Sequence, residues 1–358
     1  MTHNIAVLGA GIGAEHIDGY QKLPDRFRLT HVCDLNLALA QDRAARIGAK
    51  AVTDIAEILA DPAVELVDIC LPPMLHVPVA IQAMKAGKHA IIEKPVAGSV
   101  AEADQLAAAV ATSGKKVFPV FQYRYGRAFA QLDALRKAGI LGAPRVAALE
   151  THWNRKADYY AAGPWRGTWA RELGGAILSH AIHIHDLIAR EFGPVAEVSA
   201  MLNTSINAIE TEDCGALAIR MKNGALVTSS VTLGAAEDTS RLRLVFEHLT
   251  AESGTLPYAP GAADWRFIAR DGTQQANADR ITAAVPAGHQ GFAGFLETVA
   301  NALEGNAAGA VSLQDGRDAV ELVTAIYLAD RTGKRIALPL DRNLPICKGW
   351  RSEESLST

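Results

Sequence analysis

Cysteine is scarce in this 358-residue chain: Cys33, Cys70, Cys214 and Cys347 are scattered, with no C-x-x-C spacing. That excludes a disulfide framework, argues against a zinc knuckle, and fits a reducing compartment. Long apolar runs are missing too, and no stretch approaches the roughly 18 residues that a membrane-spanning helix needs. There is little excess charge of either sign. Thirty-five basic residues stand against 39 acidic ones, for a net charge of -4, with no long single-sign block. A phosphate-backbone footprint is therefore absent, and nucleic acid is not an expected partner. At the N-terminus there is no basic stretch followed by a long apolar segment and a cleavage site, so the expected location is cytoplasmic.

What is present is an ordinary globular composition, 49% hydrophobic and 21% charged, in a chain longer than one core usually serves, so two domains are expected. In the first third, apolar strand-like runs at 4–8, 29–33, 66–71, 90–92 and 117–121 alternate with helix-period segments such as 37–47 and 77–86. This β-α-β rhythm builds a mostly parallel, doubly wound sheet. After a helical stretch at 129–138 the pattern changes. Strand-like runs at 146–152, 195–202, 216–221, 225–231 and 242–247 alternate in polarity, with an Asn223-Gly224 hairpin signal between two of them. The second part thus reads as α+β with a large, mostly antiparallel open sheet, and with helices at 176–190, 292–302 and 313–330. Ser312 and Asp315 would cap the last helix, and Gly333 would stop it. The division is placed at 1–125 and 126–358.

The first piece of chemistry is Gly9-Ala10-Gly11-Ile12-Gly13-Ala14, a G-x-G-x-x-G/A turn set after a strand and before a helix. Gly9 makes the sharp turn, Gly11 lets the backbone approach a pyrophosphate, and the helix beginning near Gly13 offers it N–H groups. Asp34 ends the second strand, 20 residues beyond Ala14, where an acid accepts from the ribose hydroxyls and repels a 2′-phosphate. No arginine lies in Leu35-Asn36-Leu37, so the expected cofactor is NAD rather than NADP. The competing reading makes Asp34 a loop aspartate capping the next helix.

Ligands of such sheets bind outside the carboxyl ends of the strands. There the sequence places Leu71 and Pro72 with His76 soon after, Glu93-Lys94-Pro95, and Gln122-Tyr123-Arg124. Lys94 is the leading catalytic candidate. Gln122 suits a carboxamide or a substrate hydroxyl. The segment after Gly174-Gly175 holds Ser179, His180, His183, His185 and Asp186. At 100° per residue Ser179, His183 and Asp186 share a narrow stripe, with His180 beside it and His185 elsewhere. Such a stripe is either a solvated face or, since Ile177, Leu178, Ile182 and Leu187 surround it, a set of buried groups that need partners or a ligand. A divalent metal on His180, His183 and Asp186 is a further alternative, but it lacks a recognised spacing and a fourth ligand, so no metal is expected. Tyr159, Tyr160, Trp165, His152 and His289 are candidate pocket residues.

Taken together, Gly9 to Ala14, Glu93-Lys94-Pro95, Trp165-Arg166-Gly167, Gly174-Gly175 through His183 to Asp186, 312–333 and Lys348-Gly349-Trp350 resemble the glucose-fructose oxidoreductase, inositol dehydrogenase and rhizopine-catabolism (Gfo/Idh/MocA) oxidoreductase family. The resemblance covers nearly the whole chain. It implies an N-terminal Rossmann domain, and a C-terminal domain for substrate and oligomerisation as a homodimer or homotetramer. The implied activity is hydride transfer between NAD(P) and a secondary alcohol of a sugar, cyclitol or sugar acid.

By that resemblance Lys94 and His183 are catalytic, while Ser179, His180, Asp186, Gln122 and Tyr160 face substrate. Gly9, Gly11, Ile12, Gly13, Asp34, Leu71, Pro72, His76, Glu93, Lys94, Gln122, Trp165 and Arg166 surround the cofactor. One departure stands out: the inositol-dehydrogenase pattern has an aspartate four residues before the histidine, where this chain has Ser179. His183 would accept the hydroxyl proton and Lys94 would stabilise the developing charge on oxygen, although a lysine of lowered pKa could itself be the base. The family also includes non-enzymatic, NAD-responsive regulators, for which Lys94 and His183 would be needless.

Overall fold

A computed structural model describes residues 1–163 and 165–351. The chain divides into two compact units, one made of 1–121 with 292–320, the other of 122–291 with the residues from Glu321 onward. The first unit holds β1 (His3–Leu8), β2 (Phe27–Cys33), β3 (Lys50–Val52), β4 (Leu66–Ile69), β5 (His89–Ile92) and β6 (Val117–Pro119). They form one sheet in the order β3-β2-β1-β4-β5-β6, parallel throughout. Its direction of growth reverses between β1 and β4, the point at which such sheets open a ligand crevice. Ile5 to Leu8, Leu66, Val67 and Ala90 to Ile92 are fully buried. That continuous burial explains why these strands read as unbroken apolar runs.

Helices Gly13–Tyr20, Leu37–Ala45, Ile55–Ala60, His76–Lys85 and Val100–Ser113 connect the strands. β3 and the helix Ile55–Ala60 were not expected from the sequence, and the helical stretch expected between the runs at 90–92 and 117–121 is the helix Val100–Ser113. The last of these is defined by its ends. Ser99 Oγ accepts from Glu102 N and Glu102 returns a carboxylate oxygen to Gly98 N, while Gly114 closes it at φ +65°. The segment 292–320, placed with the second domain on sequence, clusters with the first. Its helix, Gly291–Leu303, sets Phe292 against His16 at 4.4 Å between ring centres. Gly19 makes room for it, since a Cβ there would lie 3.0 Å from that of Phe292.

The second unit is built on β7 (Pro144–Asn154), β8 (Val195–Asn203), β9 (Cys214–Met221), β10 (Leu226–Thr232), β11 (Gly234–Phe246), β12 (Leu249–Glu252), β13 (Arg266–Ala269) and β14 (Ile336–Ala337). Their order is β13-β12-β11-β7-β10-β9-β8-β14. Only the β10/β7 pair is parallel among the described pairings. The period-2 pattern puts Leu149, Leu217, Ile219, Val227, Leu242 and Leu244 on the buried face. Register partners Val146 and Leu226 stay exposed on the other. The turn at Asn223-Gly224 joins β9 to β10 as expected.

A π-helical turn, Ile177–Ala181, runs into the α-helix Ile182–Phe192. The sequence had given one regular helix here. The helix is buried nearly all round: His180, His183, His185 and Asp186 are each under 5% exposed, so the solvated-face reading does not hold. The final helix, Leu313–Thr332, begins with the expected reciprocal Ser312 and Asp315 bonds. No described helix is long and apolar enough to cross a membrane.

Candidate active site

In the first unit the glycine turn is shaped by its surroundings. Gly9 sits at φ +100°, and a Cβ on it would lie 2.4 Å from the Cys70 carbonyl oxygen; one on Gly13 would lie 2.8 Å from Val7. Both are glycine because the fold requires it. Gly11 differs, since a Cβ there would meet no protein atom within 4 Å. The protein's own packing makes no demand at Gly11, and the space it leaves fits the close approach of a pyrophosphate. Helix Gly13–Tyr20 follows with no side chain capping its start at Ile12, so its first N–H groups suit an anion.

Asp34 accepts from Ala10 N through Oδ2 and from Asn36 N through Oδ1, each at 2.8 Å. Each oxygen keeps a lone pair for a ribose hydroxyl. The next helix is capped by Asn36, whose side chain accepts from Leu39 N, which removes the capping reading of Asp34. His76 is 1% exposed, and its ring nitrogens lie 2.7 Å from the carbonyls of Leu71 and Pro95. Neither nitrogen remains for a ligand. Its part is to brace the segment after β4 against the residue that follows Lys94. Glu93 is buried, with one oxygen on the Lys94 backbone N–H at 3.0 Å and the other 3.0 Å from His16.

In the second unit the turn Gln122–Arg124 supplies two neighbours of the histidine helix, Tyr123 and Arg124. Tyr123 stacks on His183, ring centres 4.3 Å apart and planes within 16°. Arg124 grips Asp186 with Nε and Nη2 at 2.7 and 2.6 Å, a fork-to-fork pair that fixes both groups. Asp186, expected to touch substrate, thus has its two oxygens on Arg124. Gln122 Oε1 is buried with no hydrogen-bond partner among the described residues. Ser179 Oγ donates to Glu172 at 2.7 Å, and the other Glu172 oxygen accepts from Gly167 N. The carboxylate missing at 179 therefore stands one hydrogen bond away. Sequence reasoning missed Glu172, whose only signal was an acid just before Gly174-Gly175.

His180 lies edge-on to Trp153 at 5.0 Å. Arg166 packs over the Tyr159 ring at 4.1 Å and over Trp165 at 5.1 Å, donating to Tyr159 O. The Tyr160 hydroxyl is buried with no partner among the described residues, and burial raises its pKa. His152 bonds Ser230 on the open face of the sheet, the side away from Trp153, and His289 is exposed.

His185 points instead to β10, with Nε2 3.0 Å from Ser229 Oγ. Burial lowers its pKa to about 4, so the neutral ring is the folded form. Because that value lies below the ordinary 6.5, its stabilisation is complete above pH 6.5 and is lost as pH falls from 6.5 to about 4. The difference is worth about 3 kcal/mol. Chemical denaturation at pH 7.5 and 4.5 should show His185→Gln losing less stability than wild type by up to about that amount. Equal losses would show that His185 charges freely in the folded protein.

A glycine turn followed by an acid at the end of the second strand, joined in one chain to a second unit with a buried histidine cluster, is the arrangement of an NAD-binding oxidoreductase. Residues 3–121 match the family model for an oxidoreductase family with an NAD-binding Rossmann fold, and residues 129–252 match the Gfo/Idh/MocA C-terminal domain. The chain belongs to the Gfo/Idh/MocA oxidoreductase family. It is similar to the WlbA dehydrogenase of Bordetella pertussis, solved with NADH and UDP-GlcNAcA: 28% identity, 95% of this chain and 98% of that one, TM-score 0.84.

Among curated proteins it is 32% identical to an uncharacterized oxidoreductase of Synechocystis sp., over 56% of this chain and 54% of the relative. It is 28% identical to levoglucosan dehydrogenase of Pseudarthrobacter phenanthrenivorans, over 62% of this chain and 59% of the relative. The chain spans little more than half the length of the first curated relatives it matches.

Proposed function

We propose that this protein transfers hydride between NAD and a secondary alcohol of a sugar, cyclitol or sugar acid. The observation that carries the cofactor half is Gly11, a glycine that neither backbone nor packing requires, beside an Asp34 carboxylate held by Ala10 and Asn36. Support for the substrate class comes from two relatives, the levoglucosan dehydrogenase by its name and the WlbA dehydrogenase by its bound UDP-GlcNAcA. Exposed Val146, Leu226 and Met201 on the open sheet face support association with further copies of the chain.

The nicotinamide supplies the hydride acceptor or donor; the protein supplies charge and proton management. Lys94, at the end of β5, stabilises negative charge on the substrate oxygen, and His183 takes the hydroxyl proton in the oxidation direction and returns it in reduction. Stacking on Tyr123 fixes the His183 ring plane, and Glu172 engages Ser179 one turn before it. Arg124, oriented by Asp186, and Gln122 supply polar contacts for substrate hydroxyls or a carboxylate.

Fluorescence titration tests the cofactor reading. NADH should bind more tightly than NADPH, and Asp34→Ala should weaken NADH about tenfold, an effect of roughly 1.4 kcal/mol, while narrowing the gap to NADPH. Turnover on a panel of sugars, cyclitols and aldonates, read at the reduced-nicotinamide absorbance, tests the substrate class. Absence of binding by either nucleotide would remove the proposal at its base.

A further inference from the structure

His16, on the helix that follows the glycine turn, is fully buried between two acids. Its Nδ1 lies 2.8 Å from Asp68 Oδ2 on β4, and its Nε2 lies 3.0 Å from Glu93 Oε1 at the end of β5. An ionised carboxylate only accepts, so two such bonds draw two N–H donors from one ring, the imidazolium form. Burial opposes that charge, but the Asp68 charge, with smaller contributions from Cys70 and from the bond to Asp68, holds the pKa well above its ordinary value.

The other groups that face the ring complete the arrangement. Tyr20 donates to Asp68 at 2.9 Å, and the Cys70 thiol, pushed up to about 12 chiefly by burial, lies 3.5 Å from Asp68 Oδ1. Phe292 covers the ring. Although the ligand atoms of His16, Asp68 and Cys70 lie within 4.8 Å of one another, a metal needs a bare imidazole nitrogen and a thiolate. Here both nitrogens are engaged by carboxylates, so a metal would have to displace one of those bonds.

Glu93 has its second oxygen on the backbone N–H of Lys94. Both of its oxygens are thus occupied, one by the helix behind the glycine turn, the other by the residue whose side chain the proposed reaction needs. We infer that His16 is a positioning residue for Lys94, acting through Glu93, so that the phosphate-binding end of the unit and the lysine form one rigid assembly. The inference rests on the proposed function, in which Lys94 meets the reacting oxygen.

The test uses the full-length protein with NADH, in His16→Gln and in His16→Gln/Asp68→Asn. The single variant leaves two buried carboxylates without their cation and is expected to be less stable. The double variant restores the net charge of the cluster and with it the stability. In both, kcat should fall about 10- to 100-fold, with NADH Kd and substrate KM within about threefold of wild type, because Glu93 has lost its anchor. A double variant that regains wild-type kcat along with stability would reduce His16 to a structural role, and a stoichiometric metal lost on His16→Gln would replace the inference with a metal site.

Reductive 13C-methylation gives a readout independent of turnover. The Lys94 resonance, assigned by its loss in Lys94→Ala, should move in both His16 variants, and an unmoved resonance overturns the inference. Should Lys94→Ala retain wild-type turnover, the proposed function itself fails. If Lys94→Ala is inactive while His16→Gln turns over normally, only the role of His16 fails.

Discussion

Lys94→Ala is expected to lower kcat by about 10³-fold while NADH still binds within about threefold of wild type. The lysine stands at the carboxyl end of a strand whose neighbours are fully buried, so truncating its side chain leaves the sheet intact. On the proposed function, what is lost is a cation where negative charge develops on the substrate oxygen. Such a charge acts far more strongly in a closed, water-poor site than in bulk water, which is why one side chain carries so large a factor. Lys94→Arg should recover little, since a planar guanidinium spreads its charge and its geometry differs from a compact ammonium. Single-turnover kinetics would separate this loss from slow product release. A variant that keeps wild-type kcat would remove Lys94 from the reaction altogether.

His183→Ala should cost a comparable factor, about 10² to 10³ in kcat, by removing the proton acceptor. It should also show partial recovery with added imidazole, since the cavity left beside Tyr123 is lined by an aromatic face that accommodates a free ring. Recovery of that kind identifies a missing base rather than a damaged fold. Near-normal turnover without imidazole would instead make Lys94 the base, with its ammonium formed only as the substrate proton arrives. Thermal unfolding of the variant provides the control, because loss of the ring stacked on Tyr123 also opens a small void.

The legibility of this molecule follows from where its chemistry is local. β1, the glycine turn and Asp34 were readable because a buried parallel strand is a plain apolar run and the turn needs glycine within a few residues. β3 spans only the three residues Lys50–Val52, and the helix Ile55–Ala60 only six; segments so short carry no period. The sequence predicts a regular 100° step for the histidine helix, whereas the π-helical turn Ile177–Ala181 inserts extra chain per turn; the partners of Ser179 and His183, Glu172 and Tyr123, had no local signal. Glu172 and Arg124 gained their roles only through contacts made in three dimensions, across 7 and 62 residues of sequence.

The start of the histidine helix is held by Glu212, whose carboxylate accepts from Gly175 N, Ile177 N and the Tyr327 hydroxyl. Gly175 is tied to the same place, since a Cβ there would lie 1.9 Å from the Glu212 carbonyl oxygen. The start of the helix is therefore anchored by a distant residue and by backbone, in addition to the bonds that its own side chains make further along. In a lineage, that separation leaves Ser179, His180 and their neighbours free to be exchanged one at a time without unseating the scaffold. On the proposed function, the same separation makes these positions the ground for directed changes of substrate preference.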